Sequence, residues 1–180
     1  MKRLTKKEKE ERRALVLDKV EEAVRDANAF LSPFDLEVSV AYGDEYSKSS
    51  RLGSYELGTV FEGEIVVNVF VDNLLKSYRE CERDSDRYST DYSVLAEEAY
   101  VTVLHEVGHG LMEKILDYAN NVEEIDEWVS SEEAGPFYDV FNDDNLSEED
   151  LVEAFARASW RKEESLLSRC VKAMREKEFL

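Results

Sequence analysis

Two histidines are all this chain contains, and they stand four residues apart in His105-Glu106-Val107-Gly108-His109. On an α-helix a four-residue step closes about one turn and rises ~6 Å, so both imidazoles project from one face and can chelate a single ion. Zinc suits two imidazole nitrogens and a carboxylate, with a fourth position left for water. Glu106 sits one residue further round the helix, where its carboxylate reaches that water without being a ligand. Zinc lowers the pKa of bound water to ~7, and a glutamate so placed can take its proton. H-E-x-x-H on a helix is the zinc-metallopeptidase signature, with the glutamate as general base. Gly108 and Gly110 lie within the same helical stretch. Glycine there costs ~1 kcal/mol relative to alanine, which predicts close approach of another element.

No third histidine exists, so the remaining protein ligand must be a carboxylate or solvent. The best candidates lie in Glu149-Asp150-Leu151-Val152-Glu153-Ala154-Phe155. Glu149 and Glu153 share a helix face, while Leu151, Val152 and Phe155 turn to the core. One carboxylate can bind metal while the other accepts the free ring N–H of a histidine. In this pairing the chain resembles the gluzincin metallopeptidases of the anthrax lethal factor type and small bacterial and phage members. They carry H-E-x-x-H on one helix and a glutamate ligand on a later one. The resemblance covers about residues 92 to 160. It implies His105, His109 and Glu149 as zinc ligands, Glu106 as base and Glu153 as the group behind the ligands. It puts Ile65 to Val71 in the place of the family's active-site edge strand. Capping places Glu149 in the first helical turn, so Glu153 stands as the alternative ligand. Many gluzincins also have an oxyanion donor; Tyr138, in Gly135-Pro136-Phe137-Tyr138, is the candidate here.

The elements that must position these groups follow from periodicity. Residues 5 to 31 read as a helix, with Leu15, Val16, Val20, Ala23, Val24 and Ala27 at spacings of three and four, ended by Ser32-Pro33. Leu36, Val38, Val40 and Tyr42 alternate as in a strand. The polar run 43 to 58 reads as a loop. A second strand region covers Val60 to Val71, centred on Ile65 to Val71. A helix is predicted over 73–83 and the longest, bearing the motif, over about 92–119. Residues 120 to 146 are acidic and irregular, with a short helix at 122–130. Ser147 and Asp150 have capping-box spacing, Leu146 and Leu151 suit a hydrophobic staple, and the last helix is predicted to run to about Lys177. The expected architecture is α+β and zincin-like: a small twisted sheet packed on the H-E-x-x-H helix and a C-terminal ligand-bearing helix. One domain, residues 1 to 180, is expected.

Composition narrows the partners. The net charge is −19 over 180 residues, which repels nucleic-acid phosphates. Residues 1 to 13 hold seven Lys or Arg against three Glu, net +4, so the other 167 residues carry −23. This basic arm suits an acidic partner or the chain's own acidic body; taken alone it reads as a frayed, solvated helix start. No apolar run approaches the ~20 residues that cross a bilayer, and no secretory signal is evident. Cys81 and Cys170 are expected to be reduced and partly buried, and a cytoplasmic location follows. The expected substrate is a protein or peptide and the expected cofactor Zn2+. Two other classes fit the sequence: a regulatory or protein-binding module on a zincin scaffold, and an acidic interaction protein.

Overall fold

The computed structural model describes residues 4–32, 36–42, 52–57, 63–84, 92–121, 134–135 and 147–177. The architecture is α+β. Helix α1 (Lys6–Leu31) leads into strand β1 (Glu37–Tyr42), followed by β2 (Gly53–Leu57), β3 (Glu64–Val69), α2 (Val71–Asp84), α3 (Ser93–Asn121), α4 (Glu148–Arg161) and α5 (Leu166–Glu176). The sheet has the order β1-β3-β2, with β1 parallel and β2 antiparallel to β3.

Local chemistry explains where the helices begin. Thr5 caps α1 by accepting the Glu8 amide, while the Glu8 carboxylate accepts the Thr5 amide at 2.7 Å. From there Arg12, Val16, Val20, Ala23, Ala27 and Leu31 form one buried stripe. From Thr5 on, the basic arm is therefore a capped helix start with a buried arginine. Asn28 on α1 brackets Val38: its amide donates to the Val38 carbonyl at 2.9 Å and its oxygen accepts the Val38 N–H at 2.6 Å. The side chain thereby supplies the partner that the edge strand β1 lacks on that side.

Strand β3 forms the middle of the sheet. Ile65, Val67 and Val69 are fully buried and alternate with half-buried neighbours. The buried residues join α1, the sheet, α3, α4 and α5 in one hydrophobic cluster. Helix α3 is its axis, with Leu95, Val101, Leu104, Val107, Leu111, Met112 and Ile115 all buried.

Other expectations about the elements also require correction. The polar run after Tyr42 contains a strand, β2. The second strand ends at Val69, because the Asn73 and Leu74 amides turn back to the Phe70 carbonyl and start α2 at Val71. The last helix is two helices: Lys162 adopts a left-handed conformation (φ 60°) that ends α4, and Ser165 caps α5. Cys81 is exposed, whereas Cys170 is buried. The helix expected at 122–130 and the staple residue Leu146 lie outside the described residues. No helix among the described residues is long and apolar enough to cross a membrane.

Candidate metal centre

Helices α3 and α4 meet at a glycine. A Cβ on Gly108 would stand 2.9 Å from Val152 Cβ, so the absence of a side chain lets α4 lie directly on α3. Gly110 does the same for the sheet, where an added Cβ would stand 3.0 Å from Ile65 Cγ2. Both motif glycines thus serve packing, as their cost within a helix predicts. Between α3, α4 and the start of β2 lies an open cleft of about 540 Å³.

Both imidazoles enter this cleft from α3, and Glu149 enters from the first turn of α4. Ser147 fixes that turn, its hydroxyl accepting the Asp150 amide at 3.1 Å. His105 Nε2 and His109 Nε2 stand 3.2 Å apart. The Glu149 carboxylate straddles them, with Oε2 at 3.4 Å from His105 Nε2 and Oε1 at 3.5 Å from His109 Nε2. Donors bonded tetrahedrally to one zinc at ~2.0–2.1 Å stand ~3.3 Å from one another. The three separations match that spacing, and the donor set is of the kind zinc accepts. These three residues form a cluster able to hold a metal ion. Glu149 is 72% exposed at its side chain and touches both imidazole nitrogens, so a cation between the three would order it.

The far nitrogen of each ring also meets a carboxylate. His105 Nδ1 lies 3.3 Å from Glu153 Oε2, and His109 Nδ1 lies 2.5 Å from Glu148 Oε1. An ionised carboxylate only accepts, so a ring that donates from Nδ1 to Glu153 or Glu148 turns its Nε2 lone pair to the cleft. Glu153 is held in turn by Arg157, whose Nε donates to Glu153 Oε1 at 2.6 Å and whose Nη1 donates to Glu97 at 3.0 Å. Burial would lower the Arg157 pKa, but the hydrogen bond to Glu153 and the charges of Glu153, Glu98 and Glu97 raise it on balance, so the guanidinium stays charged.

Glu106 lines the same cleft on the side of β2. A Cβ on Gly53 would come within 3.2 Å of Glu106 Oε1 and 2.9 Å of Thr102 Cγ2. Strand β2 therefore crosses close over the glutamate, and a side chain at that point would press on Thr102 and Glu106. This corrects the expected edge: β3, which carries Ile65 to Val69, is central, and the strand bordering the cleft is β2.

His105, Glu106, His109, Glu149 and Glu153 are brought together. Tyr138 lies outside the described residues. Sequence reasoning missed Glu148, Arg157 and Gly53. Arg157 had a usable signal, four residues after Glu153 on the same helix face. Glu148 had none that separated it from the adjacent acids. No family profile, curated protein or solved structure matches the chain.

Proposed function

We propose that the chain is a zinc-dependent metallopeptidase of the gluzincin type, with a zincin-like fold. One observation carries this reading: two Nε2 atoms and the Glu149 carboxylate converge at tetrahedral spacing in a cleft that also contains Glu106. His105, His109 and Glu149 would hold the ion. When bound, zinc supplies Lewis acidity to a substrate carbonyl and acidifies a water molecule. Glu148 and Glu153 keep the two rings in the ligating tautomer and orientation. Glu106 takes a proton from the attacking water and passes it to the amine nitrogen released when the peptide C–N bond breaks. An extended peptide fits alongside β2, the edge strand next to Glu106, by strand addition.

A paired measurement tests the reading. The purified protein is expected to bind one zinc ion per chain and to cleave peptides from a mixed library. Glu106→Gln is expected to keep the ion and to lower the hydrolysis rate by ~10²–10⁴-fold, the usual contribution of a positioned base. Absence of zinc uptake on titration overturns the metal assignment. Zinc uptake without cleavage of any peptide overturns the peptidase and leaves a zinc-holding binding module.

A further inference from the structure

The chain is strongly acidic, so an acidic surface anywhere on it is unremarkable and a basic one calls for an account. One groove of about 550 Å³, between the start of α1 and the middle of α2, is basic. Lys9 on α1 and Lys76 and Arg79 on α2 line it. Arg79 Nε is buried without a hydrogen-bond partner among the described residues. Neither lysine forms an ion pair among the described residues, although exposed lysines elsewhere on α1, such as Lys6 and Lys7, do. Arg13 and Asp72 neutralise each other across the rim at 2.7 Å, and Glu80 is the remaining acid of the lining.

The groove has a rigid floor. Arg12 crosses from α1 to α2 and is held by Glu82 through two bonds of 2.9 and 2.8 Å. Its guanidinium lies over Tyr78 at 5.2 Å and Tyr92 at 5.0 Å from the ring centroids. This bidentate pair ties the two helices together beside the three cations. Leu4 and Leu75 add apolar wall.

We propose that this groove binds a short acidic peptide segment of a partner protein, with apolar side chains set between its carboxylates. The Arg79 guanidinium and two ammonium groups without an ion pair among the described residues line one groove and offer charge-assisted bonds to carboxylates. The leucines suit a peptide better than a bare anion. A long polyanion such as nucleic acid would run from the groove onto the −23 body and be repelled, whereas a short segment ends within it. The site is separate from the metal cleft and stands whether or not the chain is a peptidase.

Fluorescence anisotropy with a labelled Glu-Leu-Glu-Glu-Leu-Glu peptide tests this on the full chain, with the Lys-Leu-Lys-Lys-Leu-Lys peptide and inorganic phosphate as comparisons. The acidic peptide is expected to bind, more weakly as salt rises. Lys76→Glu combined with Arg79→Glu should weaken it by about 10-fold or more, the sum of a few lost and reversed exposed pairs. Arg175→Glu combined with Lys177→Glu, which changes the net charge equally at the C-terminal end of α5, should leave binding unaltered. Circular dichroism melting of both double variants confirms that each is folded. Equal binding by the two double variants, or no binding at low salt, overturns the proposal. Displacement by phosphate at peptide-like concentrations overturns the peptide as occupant.

Discussion

The α1–α2 seam and the α3–α4 cleft both bring charged residues together from distant parts of the chain, and they treat charge in opposite ways. At the Arg12–Glu82 pair that ties the seam the charge balance is complete. Arg12 and Glu82 have side chains 2% and 8% exposed and are matched by a bidentate pair. Burial pulls the Arg12 pKa down, but Glu82 and Tyr92 more than compensate and hold it above the ordinary value. In the cleft the balance is open. Glu148 and Glu153 each engage an imidazole Nδ1, and both Nε2 atoms then face a third carboxylate and each other. The Arg12–Glu82 pair is complete with the charges it already has, whereas the cleft gathers donors of the kind that can hold a cation.

Removing one partner from each region separates the two most sharply. Arg12→Ala leaves Glu82 buried without its cation and is expected to cost about 3–5 kcal/mol, as for other broken buried pairs. Urea denaturation should show this loss equally with and without added zinc. His105→Ala should behave in the reverse manner. Its effect on the metal-free protein should be much the smaller, and it should abolish the rise in melting temperature that zinc gives the parent chain. That rise reflects binding to the native state alone and amounts to ~4 kcal/mol at a thousandfold excess over Kd. A zinc-dependent loss for Arg12→Ala would mean that the two regions are energetically coupled.

Within the cleft, the carboxylates behind the rings should matter less than the one in front. Glu153→Ala and Glu148→Ala are each expected to weaken zinc binding by ~10–100-fold, the usual effect of losing a ligand-orienting group. Glu149→Ala should weaken it further, because a donor to the metal is lost. Competition titration against a chromophoric chelator ranks the three. If Glu148→Ala has no effect, the 2.5 Å contact to His109 is dispensable for metal binding.

Much of this arrangement is legible in the sequence, and the omissions have physical causes. The spacing of His105 and His109 is a statement about helix geometry, so it could be read without tertiary information. The same holds for the α1 stripe and the Ser147 cap. Strand β2 was unreadable because five residues within a Gly- and Ser-rich run carry little alternation; what makes it a strand is pairing with β3, from Gly53 opposite Val69 to Leu57 opposite Ile65. The break between α4 and α5 lacks glycine and proline, since Lys162 itself takes the left-handed cap. Glu148 and Glu149 differ only in rotational phase about α4. Against α3 that phase is registered where Val152 lies on Gly108, a contact between residues 44 apart in the chain.

That last contact yields the smallest and most specific of the expected effects. An alanine at position 108 gains ~1 kcal/mol of helix propensity over glycine. Against this, its Cβ would meet Val152 Cβ at 2.9 Å, Cγ1 at 3.1 Å and the backbone Cα at 3.3 Å. A rotamer change can move Cγ1, but Cβ and Cα shift only if α4 itself moves, so overpacking of ~1–3 kcal/mol outweighs the propensity gain. Gly108→Ala should therefore be destabilising by about 1 kcal/mol, the difference of these two terms. Because the displaced helix carries Glu148, Glu149 and Glu153, zinc affinity should fall with stability, although no donor has been altered. Val152→Ala makes room for the new methyl group, and combining the two changes should recover both properties relative to the sum of the single effects, a coupling of ~0.5–3 kcal/mol for residues in contact. Strict additivity in denaturation and zinc titration would show that α4 is positioned by something other than this contact, and recovery of stability without recovery of zinc affinity would place the control of Glu149 elsewhere in the α4 turn capped by Ser147.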